Sequence, residues 1–276
     1  MDFFGEFEGG GSRCFFTLGA LSVLRKEGVT FCDLAGVSAG SVCALLVYCD
    51  AVDDMLRAVP YIERSVQQLL SRGIDISDVY TFLREFVASL DLSLPERFSE
   101  RAATPDAPRL FAGVTAVDGK RQWLQNTCSF DDCLRAIGAS CTMPGYSKPA
   151  CVQGKQYVDG AVYEGFCLDI ATQLHTSARH LAIFTSPREF QLDETAASGQ
   201  WCQSSLSDLQ RCTRTRAGRY NATRSTYKRL EREGSAWCIF PPDILDVSVL
   251  EYRSDALAHA VEIGKQAAYD YLRRVS

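Results

Sequence analysis

Gly36-Val37-Ser38-Ala39-Gly40 is the stretch that decides the fold. It has the G-x-S-x-G form of a nucleophile elbow, in which a serine stands on a sharp turn between a strand and a helix. The apolar run Phe31 to Val37 predicts that strand, and Ala39 to Tyr48 predicts a buried helix. Because the pentapeptide also arises by chance in loops rich in glycine and serine, its surroundings decide its meaning. The pattern nominates Ser38 as a nucleophile, with the two glycines supporting the turn.

A second strand, turn and helix lie upstream of the elbow. Phe3 to Phe7 predicts the strand, and Ser12 to Glu27 predicts the helix. Between them stands Gly9-Gly10-Gly11-Ser12-Arg13, where backbone amides can converge on an anion and Arg13 adds positive charge. The sequence therefore predicts an oxyanion hole bordered by Gly9, Gly10, Gly11 and Arg13. The resulting β-α-β-α opening indicates an α/β protein.

A dinucleotide site is the alternative use of this glycine loop. Gly9-x-Gly11 opens a β-α-β unit, and Asp33 follows about 20 residues later, where such sites hold an acid for the ribose. However, Cys14 occupies the third glycine position, and Asp33 stands at the start of its strand instead of its end. These two departures favour the oxyanion hole over a nucleotide site.

The usual base for a nucleophilic serine is histidine. The chain has three, His175, His180 and His259, and none has the surroundings of a catalytic triad, so we interpret each as a structural or surface residue. The position of Ser38 also argues against the α/β-hydrolase fold. In that fold several strands and an oxyanion loop precede the elbow, and 37 residues cannot hold them.

A carboxylate is the other candidate base. In Tyr157-Val158-Asp159-Gly160-Ala161 a short strand carries Asp159 into a tight glycine turn. The alternative is a plain turn, since Asp-Gly is common in turns. Asp118-Gly119 is such a case and predicts a hairpin between strands at residues 110–117 and 122–124.

These blocks resemble the patatin-like phospholipase family. The match covers residues 5–165 and includes the glycine loop, the elbow, the Asp159-Gly160-Ala161 turn and the segment Ala139-Ser140-Cys141-Thr142-Met143-Pro144 before it. The resemblance implies a three-layer α/β/α sandwich with a mainly parallel central sheet. It also implies a lipid ester as substrate and a dyad in which Ser38 attacks the ester and Asp159 accepts its proton through an acyl-enzyme. Neither a metal nor an organic cofactor is implied.

Two departures from the family pattern concern loops. Cys14 stands where the glycine loop usually ends in glycine, and Tyr163-Glu164-Gly165-Phe166 replaces the usual Asn-x-Pro segment after the Asp-Gly turn. Neither removes a catalytic group, but both leave room for a different loop geometry. An acyltransferase or thioesterase with the same dyad, and a catalytically silent lipid-binding or regulatory protein, are therefore retained as alternatives.

Length and composition favour one large α/β domain, and the resemblance implies that it is a single patatin-like domain over residues 1–276. The chain has 276 residues, of which 46% are hydrophobic, which suffices for a large core. Within it we expect a motif-bearing core at about 3–185, a helical cap-like insertion at about 53–102 and a mainly helical C-terminal part at about 200–276.

Charge and cysteine content limit the function classes. The net charge of −5 argues against general nucleic-acid binding. Twelve cysteines without a C-x-x-C pair favour free thiols over a zinc site or a disulfide framework. Because the chain has neither a signal peptide pattern nor an apolar run of roughly 18 residues, we expect a cytoplasmic protein.

One stretch is strongly basic. Residues 211–232 contain eight Lys or Arg and one acid, Glu231, in a pattern typical of a helix. Peripheral contact with an anionic membrane or a lipid head group is one interpretation. A solvated helix face is the alternative.

Overall fold

The computed structural model describes residues 2–127, 129–174, 177–195 and 207–275. An eight-stranded sheet lies at its centre. The strands are β1 Asp2–Phe7, β2 Thr30–Val37, β3 Arg109–Ala116, β4 Arg121–Gln125, β5 Ala150–Val152, β6 Lys155–Asp159, β7 Arg179–Ile183 and β8 Ala236–Ile239.

The helices cover both faces of this sheet. They are α1 Cys14–Lys26, α2 Ala39–Tyr48, α3 Val52–Ser71, α4 Val79–Ser89, α5 Leu94–Ala102, α6 Phe130–Ser140, α7 Leu168–Gln173, α8 Ser207–Arg214, α9 Arg216–Arg232 and α10 Ser254–Val275. Short 3₁₀ turns at Gly11–Arg13 and Gly160–Val162 follow β1 and β6. No helix in the described ranges is both long and apolar enough to cross a membrane.

The sheet is mainly parallel. Its order is β5-β6-β3-β2-β1-β7-β8, and the five strands from β3 to β8 in this order run parallel. The short strands at one edge are antiparallel: β4 and β6 both pair with β3, and β5 pairs with β6. The predicted hairpin at Asp118-Gly119 joins β3 to β4, with the Gly119 N–H donating to the Ala116 carbonyl at 2.8 Å.

Alternation along β1 separates two apolar layers. Phe3 and Phe7 lie in a core that includes Leu18 of α1 and Leu257 of α10. Phe4 points to the other side and packs in a cluster with Ile170 of α7. Because successive side chains of a strand face opposite sides, helices bury both faces of the sheet. The predicted three-layer α/β/α sandwich is confirmed.

The helical pattern at 53–102 forms α3, α4 and α5. Of these, α3 packs against α1 and α10, while α4 packs against α6. Strand β5 was not predicted, because it has only three residues, of which Cys151 is exposed and the other two are partly buried, and it shows no apolar alternation. The ten cysteines in the described part of the chain are all free, and seven of them are buried. The division into core, insertion and C-terminal part stays a prediction.

Neighbouring parallel strands bring three loops to one edge of the sheet. The carboxyl ends of β1, β2 and β7 meet there, and the glycine loop, the elbow and Thr185 follow them. Open α/β sheets bind their ligands at this edge. The fold thus places the glycine loop, which follows β1, beside the elbow, which follows β2.

Candidate active site

Ser38 stands directly between β2 and α2. Its φ of 53° and ψ of −130° are unusual for a residue with a side chain. The turn is very tight: a Cβ on Gly36 would lie 2.2 Å from the Gly40 carbonyl oxygen, and one on Gly40 would lie 2.1 Å from that of Phe7. A side chain at either glycine would therefore displace the backbone that presents Ser38.

Sheet register brings Asp159 to the level of the elbow. Val37 pairs with Gly113 on β3, and the next residue of β3, Val114, pairs with Asp159 on β6. The Ser38 Oγ donates a hydrogen bond to Asp159 Oδ2 at 2.7 Å. The N–H of Ala161 donates to the other oxygen, Oδ1, at 2.8 Å. Two residues 121 positions apart in sequence thus form a direct hydrogen-bonded pair.

The environment of Asp159 suits a proton acceptor. The side chain is only 1% exposed, and burial raises its pKa to about 6. The hydrogen bonds from Ser38 and Ala161 and the positive charges of Arg216 and Arg121 act in the opposite direction. Because a carboxyl group is ionised above its pKa, Asp159 is a carboxylate at neutral pH and able to take a proton.

The glycine loop borders the same cavity. Gly9, Gly10, Gly11 and Arg13 line a cavity of about 140 Å³ together with Ser38 and Asp159. The Gly9 N–H donates to the Gly165 carbonyl at 3.2 Å. The N–H groups of Gly10 and Gly11 donate to no acceptor within the described ranges. Two amides that line the same cavity as Ser38 have the chemistry needed to stabilise an oxyanion.

Two residues that hold Ser38 and the glycine loop were not predicted from the sequence. Ser140 Oγ accepts from the Ser38 N–H at 2.8 Å and donates to the Gly113 carbonyl at 2.6 Å. Thr185 Oγ1 donates to the Gly9 carbonyl at 2.9 Å. Ser140 belongs to the segment before Asp159 that resembles the family, but the sequence assigned it no role. For Thr185, its position at the end of a predicted strand was the signal that could have identified it.

A buried carboxylate holds the start of the glycine loop. Glu8 accepts hydrogen bonds from the Tyr220 hydroxyl, at 2.7 Å, and from the Thr185 N–H. Arg224 contacts the same hydroxyl at 3.3 Å. Burial raises the pKa of Glu8, while Arg224, Tyr220 and Thr185 favour its ionised form. Through Glu8, helix α9 is connected to the first residue of the loop.

The other sequence candidates lie elsewhere. His180 Nδ1 is 3.0 Å from Glu6 Oε2, and His259 is exposed on α10, while His175 lies outside the described residues. Asp33 forms an ion pair with Arg109 at 2.7 Å, which occupies the carboxylate that a nucleotide would need. No three His, Cys, Asp or Glu side chains in the described residues are grouped so that they could hold a metal ion.

An apolar cavity adjoins the one lined by Ser38 and Asp159. It has a volume of about 220 Å³ and is lined mainly by apolar side chains of α1 to α4 and residues 249–252. Gly11 and Val249 line both cavities, and Ala39, the residue after Ser38, lines the apolar one. At the α4 side, the rings of Phe82 and Phe86 stack at 5.9 Å. Gly11 and Val249 therefore lie where the two cavities meet.

A family model described as Patatin-like phospholipase matches residues 7–172. The chain belongs to the patatin-like phospholipase family. A second model, described as Domain of unknown function (DUF6363), matches residues 206–276. Among solved structures, VipD from Legionella pneumophila is similar, with 13% identity and a TM-score of 0.45 over 98% of this chain and 67% of that one. A search of curated proteins finds no match.

The patatin-like match ends before the candidate catalytic cavity is complete. Thr185, Arg216, Tyr220 and Val249 line that cavity and lie beyond residue 172. Three of them belong to the part matched by the model of unknown function. In this patatin-like protein, both matched parts of the chain therefore border one cavity.

Proposed function

We propose that the protein is a serine lipid acyl hydrolase that cleaves carboxylic esters with a Ser38–Asp159 dyad. The observation that supports this most strongly is the 2.7 Å hydrogen bond from Ser38 Oγ to the buried Asp159 carboxylate. A nucleophile needs a base within hydrogen-bond reach and donors for the developing oxyanion. Membership of the patatin-like phospholipase family supports a lipid as the substrate.

Acylation begins with transfer of the Ser38 proton to Asp159. The Ser38 oxygen attacks the ester carbonyl carbon, and the resulting oxyanion accepts hydrogen bonds from the Gly10 and Gly11 amides, near the charge of Arg13. The tetrahedral intermediate then collapses. Asp159, now a carboxylic acid, returns its proton to the leaving alkoxide. An alcohol departs, and the acyl group stays on Ser38.

Deacylation repeats these steps with water. Asp159 takes a proton from a water molecule, whose oxygen attacks the acyl carbon under the same amide donors. The Ser38 oxygen leaves and regains the proton from Asp159. The net reaction consumes one ester and one water and yields one carboxylic acid and one alcohol.

The apolar cavity supports an acyl chain as the part of the substrate that is bound. Its lining is almost entirely apolar, and it borders both the glycine loop and the residue after Ser38. A hydrocarbon chain leaving water for this cavity would contribute about 0.8 kcal/mol for each buried methylene. This binding energy would hold the ester carbonyl beside Ser38.

Labelling with a fluorophosphonate tests the proposal. The wild-type protein should be modified at Ser38 and should cleave lipid esters, whereas Ser38→Ala should lose labelling and at least about 10⁴-fold in kcat/KM. Asp159→Asn should lose about 10⁴-fold because the base is removed. The exposed Ser71→Ala is the matched control and should behave as wild type.

Two outcomes would point elsewhere. Labelling and cleavage that persist in both Ser38→Ala and Asp159→Asn would contradict the dyad. A folded wild-type protein that binds lipid vesicles without labelling would favour the silent lipid-binding alternative. Adding a lysolipid acceptor separates hydrolysis from acyl transfer, since a transferase would form a new ester.

A further inference from the structure

Three arginines bind the backbone that follows Asp159. Arg216 Nε donates to the Ala161 carbonyl at 2.6 Å, and Arg219 Nη2 donates to the Tyr163 carbonyl at 2.8 Å. Arg121 donates to the Glu164 carbonyl and, at 3.2 Å, to that of Phe166. We call Arg121, Arg216 and Arg219 the arginine bracket. It holds the segment in which this chain departs from the usual Asn-x-Pro pattern.

Two members of the arginine bracket come from α9. Arg216 and Arg219 lie in the part of the chain matched by the model of unknown function, whereas Asp159 lies in the patatin-like part. The planar guanidinium group offers several donors in a fixed arrangement, which suits it to carbonyl oxygens along a turn. The turn after Asp159 is therefore held from outside the motif that contains it.

Arg216 differs from Arg219 because it also borders the catalytic cavity. It lines that cavity with Ser38 and Asp159, and its positive charge acts on the Asp159 carboxylate. The Ala161 residue that it binds donates its own N–H to Asp159 Oδ1 at 2.8 Å. Arg216 thus reaches Asp159 in two ways, through the turn and through its charge.

We propose that Arg216 is a positioning residue for the Ser38–Asp159 pair, fixing the turn that carries Asp159 and supplying positive charge opposite its carboxylate. This inference rests on the function proposed above. It gives the C-terminal part of the chain a role in the reaction without any contact to the reacting atoms.

Other charged and titratable groups also face Asp159. Ser38 faces it from the elbow, Arg121 from β4, and the Cys141 thiol from the end of α6. Burial, with the Asp159 charge, raises the pKa of Cys141, so this thiol stays neutral near neutral pH. Glu8, at the end of β1, acts on Arg216 with its own negative charge. Arg216 and Arg121 therefore supply the positive charge, and both favour the ionised Asp159.

The pH dependence of the reaction should respond to the charge of Arg216. Asp159 must be ionised to act as a base, so kcat/KM should fall as the pH drops through about 6. Removing the Arg216 charge destabilises the carboxylate and raises the pKa of Asp159 further. The acid limb of the pH profile should then move up by about one pH unit. Activity should be lost most at acidic pH and least at alkaline pH.

The experiment compares four variants of the full chain with a water-soluble ester. Arg216→Gln should move the acid limb up by about one pH unit, while Arg216→Lys keeps the charge and should leave the limb in place with a lower kcat. Arg219→Gln weakens the arginine bracket without a charge facing Asp159, so it should lower kcat at every pH equally. Arg214→Gln is the matched exposed control and should match wild type.

The inference is overturned if Arg216→Gln lowers kcat/KM by the same factor at every pH, or not at all. If Arg216→Gln does not fold, Arg216→Lys decides the matter: an unchanged kcat, or a limb that moves, would overturn it. Failure of the proposed function itself is distinguishable, because the wild-type protein would then show neither Ser38 labelling nor ester cleavage.

Discussion

Residues 7–172 and residues 207–275 contribute to one cavity in different ways. The first region holds Ser38, Asp159 and the glycine loop, each within a recognisable motif. The second supplies Arg216, Tyr220 and Val249, none of which belongs to a motif of known chemistry. The difference teaches that spacing patterns identify the candidate reacting groups, while some of the groups that line the same cavity come from a part of the chain without such patterns.

Hydrogen bonds join the two regions at the glycine loop. The Ser12 N–H donates to the Val249 carbonyl at 2.9 Å, and Ser12 Oγ donates to the Glu251 carbonyl at 2.6 Å. Gly11 has a φ of 58°, and a Cβ there would lie 2.1 Å from the Val249 oxygen. The conformation of the predicted oxyanion hole thus depends on the C-terminal segment.

Among substitutions that test how the two regions depend on each other, Gly11→Ala should have the largest effect. The added methyl would force the loop and Val249 apart in a backbone conformation that disfavours side chains. We expect a stability loss of about 2 kcal/mol and a drop in kcat/KM of about 100-fold from the displaced amides. Urea unfolding and ester kinetics measure both.

Gly28→Ala is the matched control. Gly28 has a φ of 74°, so an alanine there is also in a backbone conformation that disfavours side chains, but its Cβ would meet nothing within 4 Å. It should cost about 1 kcal/mol and leave kcat/KM unchanged. Equal losses of activity in the two variants would show that the contact between Gly11 and Val249 has no bearing on the site.

A smaller effect should follow from filling the apolar cavity that both regions line. Val42 lines it on α2, so Val42→Trp should lower kcat/KM for long-chain esters by about tenfold relative to acetyl esters. Val47, on the same helix, lines a different cavity, and Val47→Trp should keep the wild-type chain preference. If the two variants show the same preference between long-chain and acetyl esters, the acyl chain binds elsewhere.

Local rules made the first region predictable from sequence. The elbow demands glycine on both sides of Ser38, and Asp159 stands where a strand meets a glycine turn, so each left a short pattern. The pairing of the two across the sheet came only from the family resemblance. It depends on the register of β2, β3 and β6, which no local pattern contains.

The second region was less predictable because a basic sequence does not show which arginines point into the protein and which face solvent. Its basic stretch was interpreted as a membrane contact or a solvated face, yet Arg224 is only 2% exposed. Arg224 donates to the carbonyls of Ser186, Pro187 and Arg188, and Arg216 and Arg219 bind the turn after Asp159. Packing against residues 186–188 after β7 and against the turn after Asp159 decides which arginines point inward, and spacing does not.

The smallest effect concerns the outward arginines of the same stretch. Arg214 and Arg232 are exposed, so replacing either one with Gln should leave hydrolysis of a water-soluble ester unchanged. If this face meets a membrane, each single replacement should weaken binding to vesicles with phosphatidylserine at low salt by about fivefold, at roughly 1 kcal/mol for the charge removed. Vesicles of phosphatidylcholine alone are the control. Unchanged binding to both vesicles would make the outward face a solvated one and leave the inward arginines as the functional part of the stretch.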